Sequence, residues 1–383
     1  MFVFNIKKMI YCFVCSAIMA TILSAHAIDI RDDFELSQNS TQTFRIVRDG
    51  VRFTCADGVT IISSGNSAAI HVEADFVRID NCHIRGQIVS GRQSPGVGVH
   101  VDGVSGFHLT NSSVKNLRTG VLIESAFNTN IRSNKILYNL IGLEVYDSLY
   151  PRIRNNVIGA WDRNERAASS PERMSTRAGI LAENTDMMSV HNNYMDGNGY
   201  SFGTFSDDGS FSNDRLEICV DGEVPLFTRV AGWVIVGPIF ELAARDQNNN
   251  VCPGPPVGIE ENLVDPDRYA FGSGITVIGA KRNNRIDYNA INNSRHMGVF
   301  FLNPEESPII RNNWLQGNRI GVAFDGARFI EDDDAIEIKN NHAIRDSHVG
   351  IWFEDESSVL IDLGNNNFEN NVQNYGGTLF GLN

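Results

Sequence analysis

A six-residue pattern recurs along this chain and leaves few folds open to it. It reads IRSNKI at 131–136, IRNNVI at 153–158, VHNNYM at 190–195, IDYNAI at 286–291, IRNNWL at 310–315 and IKNNHA at 338–343. Degenerate copies stand at 79–84 (IDNCHI) and 109–114 (LTNSSV). The fourth position is Cys82, Ser112, Asn134, Asn156, Asn193, Asn289, Asn313, Asn341 and, less regularly, Asn366. The shortest spacing is 22 residues, from Ser112 to Asn134 and again from Asn134 to Asn156. A loop and then a glycine-led apolar strand follow, as in GVLI at 120–123, GLEV at 142–145, GILA at 179–182 and GIWF at 350–353. Short alternating strands at that interval cannot bury an apolar side alone and must stack coil on coil. Asparagine tolerates unusual turn angles, and stacked amides bond one another. The 40 asparagines among 383 residues thus have a structural use.

The pattern resembles the right-handed parallel β-helix repeat of the pectate-lyase-like superfamily, over roughly 45–198 and 272–375. The resemblance implies an all-β, single-stranded right-handed parallel β-helix carrying a large insertion. It leaves activity open, because that fold hosts lyases, hydrolases, epimerases, adhesins and accessory proteins. A leucine-rich repeat is the structural rival, but its leucine spacing is absent. The expected organisation is a signal peptide at 1–27, an N-terminal cap at 28–50, coils at 51–198, an insertion at 199–272, and coils with a cap at 273–383.

Export is read from the N-terminus: Lys7 and Lys8, an apolar stretch at 9–23, and the small-x-small site Ala25-His26-Ala27. No later segment is apolar enough to span a bilayer. A periplasmic or extracellular location follows. The formal net charge of −14 speaks against a nucleic-acid partner, which needs a basic face. After signal removal Cys55, Cys82, Cys219 and Cys252 remain, in a compartment where disulfides persist, and no CxxC pair suggests zinc. Cys219 and Cys252 bracket a strand-like segment of the insertion and are expected to form a disulfide. Free thiols and a bridge are equally open for Cys55 and Cys82.

In the resembled family each coil has three strands, with the asparagine turn between the second and third. The glycine-led strand is then the first, and the long loops at 87–96, 161–176 and 200–271 stack as a wall beside it. Such a cleft is the place to seek a ligand. Alternation sends residues two and four beyond each glycine outward: His100/Asp102, Leu122/Glu124, Glu144/Tyr146, Leu181/Glu183, Thr276/Ile278, Phe300/Leu302, Ala323/Asp325 and Trp352/Glu354. Coils about 4.8 Å apart bring Asp102, Glu124 and Glu144 close to one another. Like charges so close raise pKa values or recruit a cation, for which calcium is the expected choice with Glu124, Glu144 and Glu183 as ligands. The candidate catalytic set is His100, Asp102, Glu124 and Glu144. Tyr146, Arg163, Arg177, Phe300 and Trp352 are candidates for substrate binding, the aromatics as sugar-stacking platforms, and Arg166 and Arg173 lie on the same loop. The competing reading is an ordinary solvated acidic face.

Two other constellations are weaker. The run Glu331, Asp332, Asp333, Asp334 resembles the paired aspartates of polygalacturonases, but the other motifs of that family are missing. Met187, Met188, His191 and Met195 suggest copper, yet Met195 aligns with an inward hydrophobe and His191 with an outward stripe. Two functions remain. One is an exported polysaccharide-active enzyme, a lyase or epimerase of uronic-acid chains or a hydrolase, since adjacent coils also match the carboxylate separation of retaining glycosidases. The other is a noncatalytic scaffold binding glycan or a protein partner. The sequence carries no oligomer signal beyond exposed aromatics.

Overall fold

The computed structural model describes residues 27–63, 65–87, 94–159, 178–198, 273–292 and, with short interruptions, 294–376, together with the two-residue strands at 204–205 and 211–212. Outside the described residues fall the signal segment up to residue 26, Arg163, Arg166, Arg173, Arg177, Cys219, Cys252 and the acidic run at 331–334.

Among the described residues the strands form three long parallel sheets of 12, 11 and 10 strands, which successive coils visit in turn. Parallel stacking already starts at Ile28–Ile30, which pairs with Phe44–Ile46. Each hexamer places its first half in the second sheet and its second half in the third. Thus Asn130–Arg132 lies between His108–Thr110 and Arg152–Arg154, while Lys135–Leu137 lies between Ser113–Lys115 and Val157–Gly159. The central apolar residue of each strand turns inward: Ile131, Ile153, Val190, Ile286 and Ile310 are all completely buried. Phe301, Phe324 and Phe353 stack in the core with centroids 5.2 and 4.7 Å apart.

The turn between second and third sheets divides its work between two residues. The third hexamer position takes the left-handed backbone, with φ of 50° at Asn111, 60° at Ser133, 55° at Asn155 and 54° at Asn192. The fourth builds the ladder. Asn156 Oδ1 accepts the backbone N–H of Asn134 at 2.9 Å and its Nδ2–H at 3.1 Å. Asn156 Nδ2 donates to Ile131 O at 2.9 Å and to Asn193 Oδ1 at 3.0 Å. The relay continues through Asn289, Asn313 and Asn341 to Asn366. Interior amides so paired leave no orphaned donor at the turn.

The glycine heading each first-sheet strand is a matter of space. A Cβ on Gly142 would meet Gly179 O at 2.5 Å and Ile158 Cγ2 at 2.8 Å, closer than neighbouring coils allow. Cys55 and Cys82 are bonded, with Cα atoms 4.9 Å apart, which settles the alternative the sequence left open. No helix among the described residues is long and apolar enough to cross a membrane.

Candidate functional site

The first sheet presents the outward rows that alternation predicts. His71, His100, Leu122, Glu144, Leu181 and Thr276 follow one another in register in one row. Asp102, Glu124, Tyr146, Glu183 and Ile278 follow in the other. Glu144 therefore belongs to the histidine row and Glu124 to the tyrosine row, and the acids do not form one bare file.

Two polar pairs result. His100 Nε2 lies 2.5 Å from Glu124 Oε2 on the next coil. One coil further, Glu144, only 6% exposed, accepts from Thr119 Oγ1 at 2.6 Å and from the Tyr146 hydroxyl at 3.1 Å. Burial and then the adjacent Glu144 charge push the Tyr146 phenol far above its ordinary range, so it keeps its proton. His71 sits with its ring centroid 5.4 Å from that of His100. Its pKa is lowered, first by burial and then by His100, which keeps its ring neutral near pH 7.

The expected convergence of Asp102, Glu124 and Glu144 on His100 is corrected in part: Glu124 reaches His100, Glu144 turns to Thr119 and Tyr146, and Asp102 stays exposed at the end of its row. Glu183 is half-buried beside Tyr146 in the register and adds to the negative field on its phenol. Among the described residues no three His, Cys, Asp or Glu side chains converge as metal ligands. With Glu124 on a histidine and Glu144 hydrogen-bonded twice, this donor set does not fit a calcium ion. Phe300 and Trp352 are a further correction. They are 0% and 8% exposed and pack with Met297, Leu302, Ile320, Ala323 and Val349 in an apolar cluster of their own, so neither offers an open platform. Arg163 and Arg177 lie outside the described residues.

Three residues here escaped the sequence reading. His71 precedes the first glycine-led strand, so counting from glycines passed it over. Thr119 and Arg118 precede their glycine, in Leu117–Glu124, where the pairing register shifts between Leu117 and Thr119. That irregularity leaves Arg118 exposed, near enough to Tyr146 to oppose the rise of its pKa.

The copper constellation does not assemble. Met188 and Met195 are completely buried in the core, whereas His191 faces outward and meets Asp287 Oδ1 through Nδ1 at 2.8 Å. These residues do not fit a shared copper ion.

Comparison with known proteins follows the same lines. The family model described as "Right handed beta helix region" matches residues 36–216. The model described as "Periplasmic copper-binding protein (NosD)" matches residues 247–381. No curated protein matches. Among solved structures, the A-module of Azotobacter vinelandii mannuronan C-5 epimerase AlgE4 shares 14% identity, with 94% of this chain and 92% of that one covered and a TM-score of 0.42. An alginate lyase from Paenibacillus sp. str. FPU-7 shares 10% identity over 89% of this chain and 99% of that one, with a TM-score of 0.31. Likenesses at these scores carry no argument about activity. The repeat, the three parallel sheets and the family model over residues 36–216 agree on the fold: the chain is a right-handed parallel β-helix built from stacked repeats.

Proposed function

We propose that this chain is an exported protein of the periplasm or extracellular space that acts on a uronic-acid-containing glycan at the outer face of its first sheet, by lyase or epimerase chemistry. The observation that carries the reading is the pairing of His100 with Glu124 and of Tyr146 with Glu144 on successive coils. A base held by a carboxylate and a phenol held protonated are the two proton carriers such chemistry needs.

With its proton on Nε2, His100 is oriented by Glu124, leaving Nδ1 as the base. Nδ1 removes the proton from C5 of the uronate, next to the carboxylate. For a lyase, the C4–C5 double bond forms as the C4–O bond breaks, and Tyr146 supplies the proton to the departing oxygen. For an epimerase no bond to C4 breaks, and Tyr146 supplies the proton that returns to C5 on the opposite face. The exposed guanidinium of Arg118 is the described cation beside Tyr146 that can take the substrate carboxylate. A two-carboxylate hydrolase is disfavoured, because Glu124 and Glu144 are each committed to a hydrogen-bonded partner.

The test is incubation with polymannuronate, polyguluronate and polygalacturonate in deuterated water. Ultraviolet absorbance of the unsaturated product reads the lyase, and loss of the C5 proton signal reads the epimerase. Either signal, lost in His100→Ala, supports the proposal. Binding with neither signal on any of the three polymers makes the protein a glycan-binding scaffold instead.

A further inference from the structure

The chain is acidic overall, yet one face is not. On the second sheet the outward positions run in register as Arg52, Arg78, His108, Asn130 and Arg152 in one row, and Thr54, Asp80, Thr110, Arg132 and Arg154 in the other. Arg78, Arg132 and Arg152 are exposed and make no ion pair among the described residues; Arg154 is half-buried and donates to Asn130 Oδ1 at 3.2 Å. Nearby acids are already engaged. Asp80 is held by Thr110, Asn111 and Arg52, and Asp75 caps the Ser105 N–H. The field at the centre is positive: the pKa of His108 is lowered first by burial and then by Arg78, Arg154 and Arg152.

A second, independent feature borders these arginines. The turn leading into the second sheet repeats one backbone step at Phe76, Gly106, Asn128, Tyr150 and Met187, each donating its N–H to the coil above. The step is left-handed, with φ of 58° at Phe76, 69° at Gly106, 53° at Asn128 and 58° at Tyr150. Glycine and asparagine adopt it readily, whereas an aromatic residue there is strained. Phe76 bears that strain while 62% exposed, so core burial does not compensate it. Its ring lies over Gly106, where an added Cβ would meet Phe76 Cδ1 at 2.6 Å. Phe127, 45% exposed, packs edge-on against Tyr150 at 5.7 Å. Three aromatic rings thus border the arginines, and the fold itself asks for none of them.

We propose that this edge and face, formed by Phe76, Phe127 and Tyr150 with Arg78, Arg132 and Arg152, is a second binding surface on which one extended strand of acidic polysaccharide docks along the stack. Aromatic faces take the sugar rings and arginines take the carboxylates, a pairing that suits a polymer both apolar and anionic. The two rows stand about 7 Å apart and the coils about 4.8 Å, which makes a narrow track rather than a plane for a membrane. A uronate chain carries one carboxylate per sugar. Nucleic acid is far more densely charged, with a phosphate about every 3.4 Å of strand, and meets the repulsion of a chain at −14. The surface faces away from the first sheet and functions whether or not that sheet is catalytic.

Affinity electrophoresis and calorimetry with polygalacturonate and polymannuronate at low salt test it. The variants are Arg78→Gln/Arg132→Gln/Arg152→Gln and Phe76→Ala/Tyr150→Ala, each made in wild type and in a His100→Ala background and each checked by thermal melt. A single arginine, Arg132→Gln, serves where the triple variant does not fold. Of the binding events that calorimetry resolves, the one on the second sheet should weaken at least about tenfold in both multiple variants and both backgrounds, a loss typical of truncating charged or aromatic contacts, while first-sheet binding is kept and neutral dextran does not bind. Unchanged affinity in the arginine variants overturns the proposal. So does an arginine-dependent affinity that ignores the aromatic substitutions and extends equally to DNA or anionic phospholipid vesicles. Turnover does not enter the readout, so failure of the lyase or epimerase reading leaves this result standing.

Discussion

Replacing Asn156 by Ala probes the device on which every coil depends. The side chain makes four hydrogen bonds: two accepted from Asn134 and one donated to each of Ile131 O and Asn193 Oδ1. Alanine removes all four in a site only 1% exposed, where water cannot replace them. The Asn134 N–H is then orphaned at about 1–3 kcal/mol, and the other lost bonds add about 1–2 kcal/mol, giving a loss near 3 kcal/mol. Asn193 Oδ1 softens the loss by keeping the Asn156 N–H, 3.0 Å away. Asn155→Gly is the matched control: Asn155 is the exposed neighbour in the same turn with φ of 55°, a conformation glycine adopts freely. Urea titration followed by circular dichroism gives both values. A shift for Asn156→Ala below about 0.5 kcal/mol, within the range of ordinary surface substitutions, would refute the ladder as a source of stability.

Other consequences are as direct. Tyr146→Phe removes the proton donor and leaves the ring, so turnover of a uronate polymer should fall by about 100-fold or more, while stability falls by about 1–3 kcal/mol for the bond lost to the buried Glu144; equal turnover contradicts the assigned role. Because the folded-state pKa of His71 lies below its ordinary value of 6.5, the unfolded chain binds the proton more tightly. Its contribution to stability is therefore present above about pH 6.5 and lost as pH falls through the folded value. His71→Gln should flatten the decline of the urea midpoint between neutral and acidic pH, and a decline of the same steepness would contradict the assignment. Peptide mapping without reductant should recover Cys55 linked to Cys82. The Cys55→Ser/Cys82→Ser variant should lose about 3–4 kcal/mol by the chain-entropy estimate for the 27-residue separation; free thiols at both positions in protein recovered from the periplasm would contradict the bridge. The same mapping tests the bridge expected between Cys219 and Cys252.

The coil architecture was legible because stacking imposes the same turn at every level. Asn134, Asn156 and Asn193 repeat since each must accept from the coil before and donate to the coil after. Alternation likewise gave the outward rows, as His100 and Glu124 show. What alternation could not give is the rotamer: Glu144 was expected beside its fellow acids, yet Thr119 and Tyr146 offer donors on its own coil and the one before, and a donor outcompetes a like charge. Phe300 and Trp352 were misread for a different reason, since period-2 alternation tells which way a side chain points and not what covers it. The basic track escaped because a total charge is a sum, and a face carrying Arg78, Arg132 and Arg152 disappears when 46 acidic residues are added to 32 basic ones. The left-handed step at Phe76 has no sequence signature at all, because nothing in the residue type announces the angle.

The most direct test of the central claim is a crystal structure of the Tyr146→Phe variant soaked with a short oligouronide. The account predicts a sugar lying across the strands Ser94–Asp102, Leu117–Glu124 and Ile141–Tyr146, with C5 facing His100 and its carboxylate toward Arg118. A sugar bound elsewhere on the stack, with His100 and Glu124 still paired and their face clear, would contradict it.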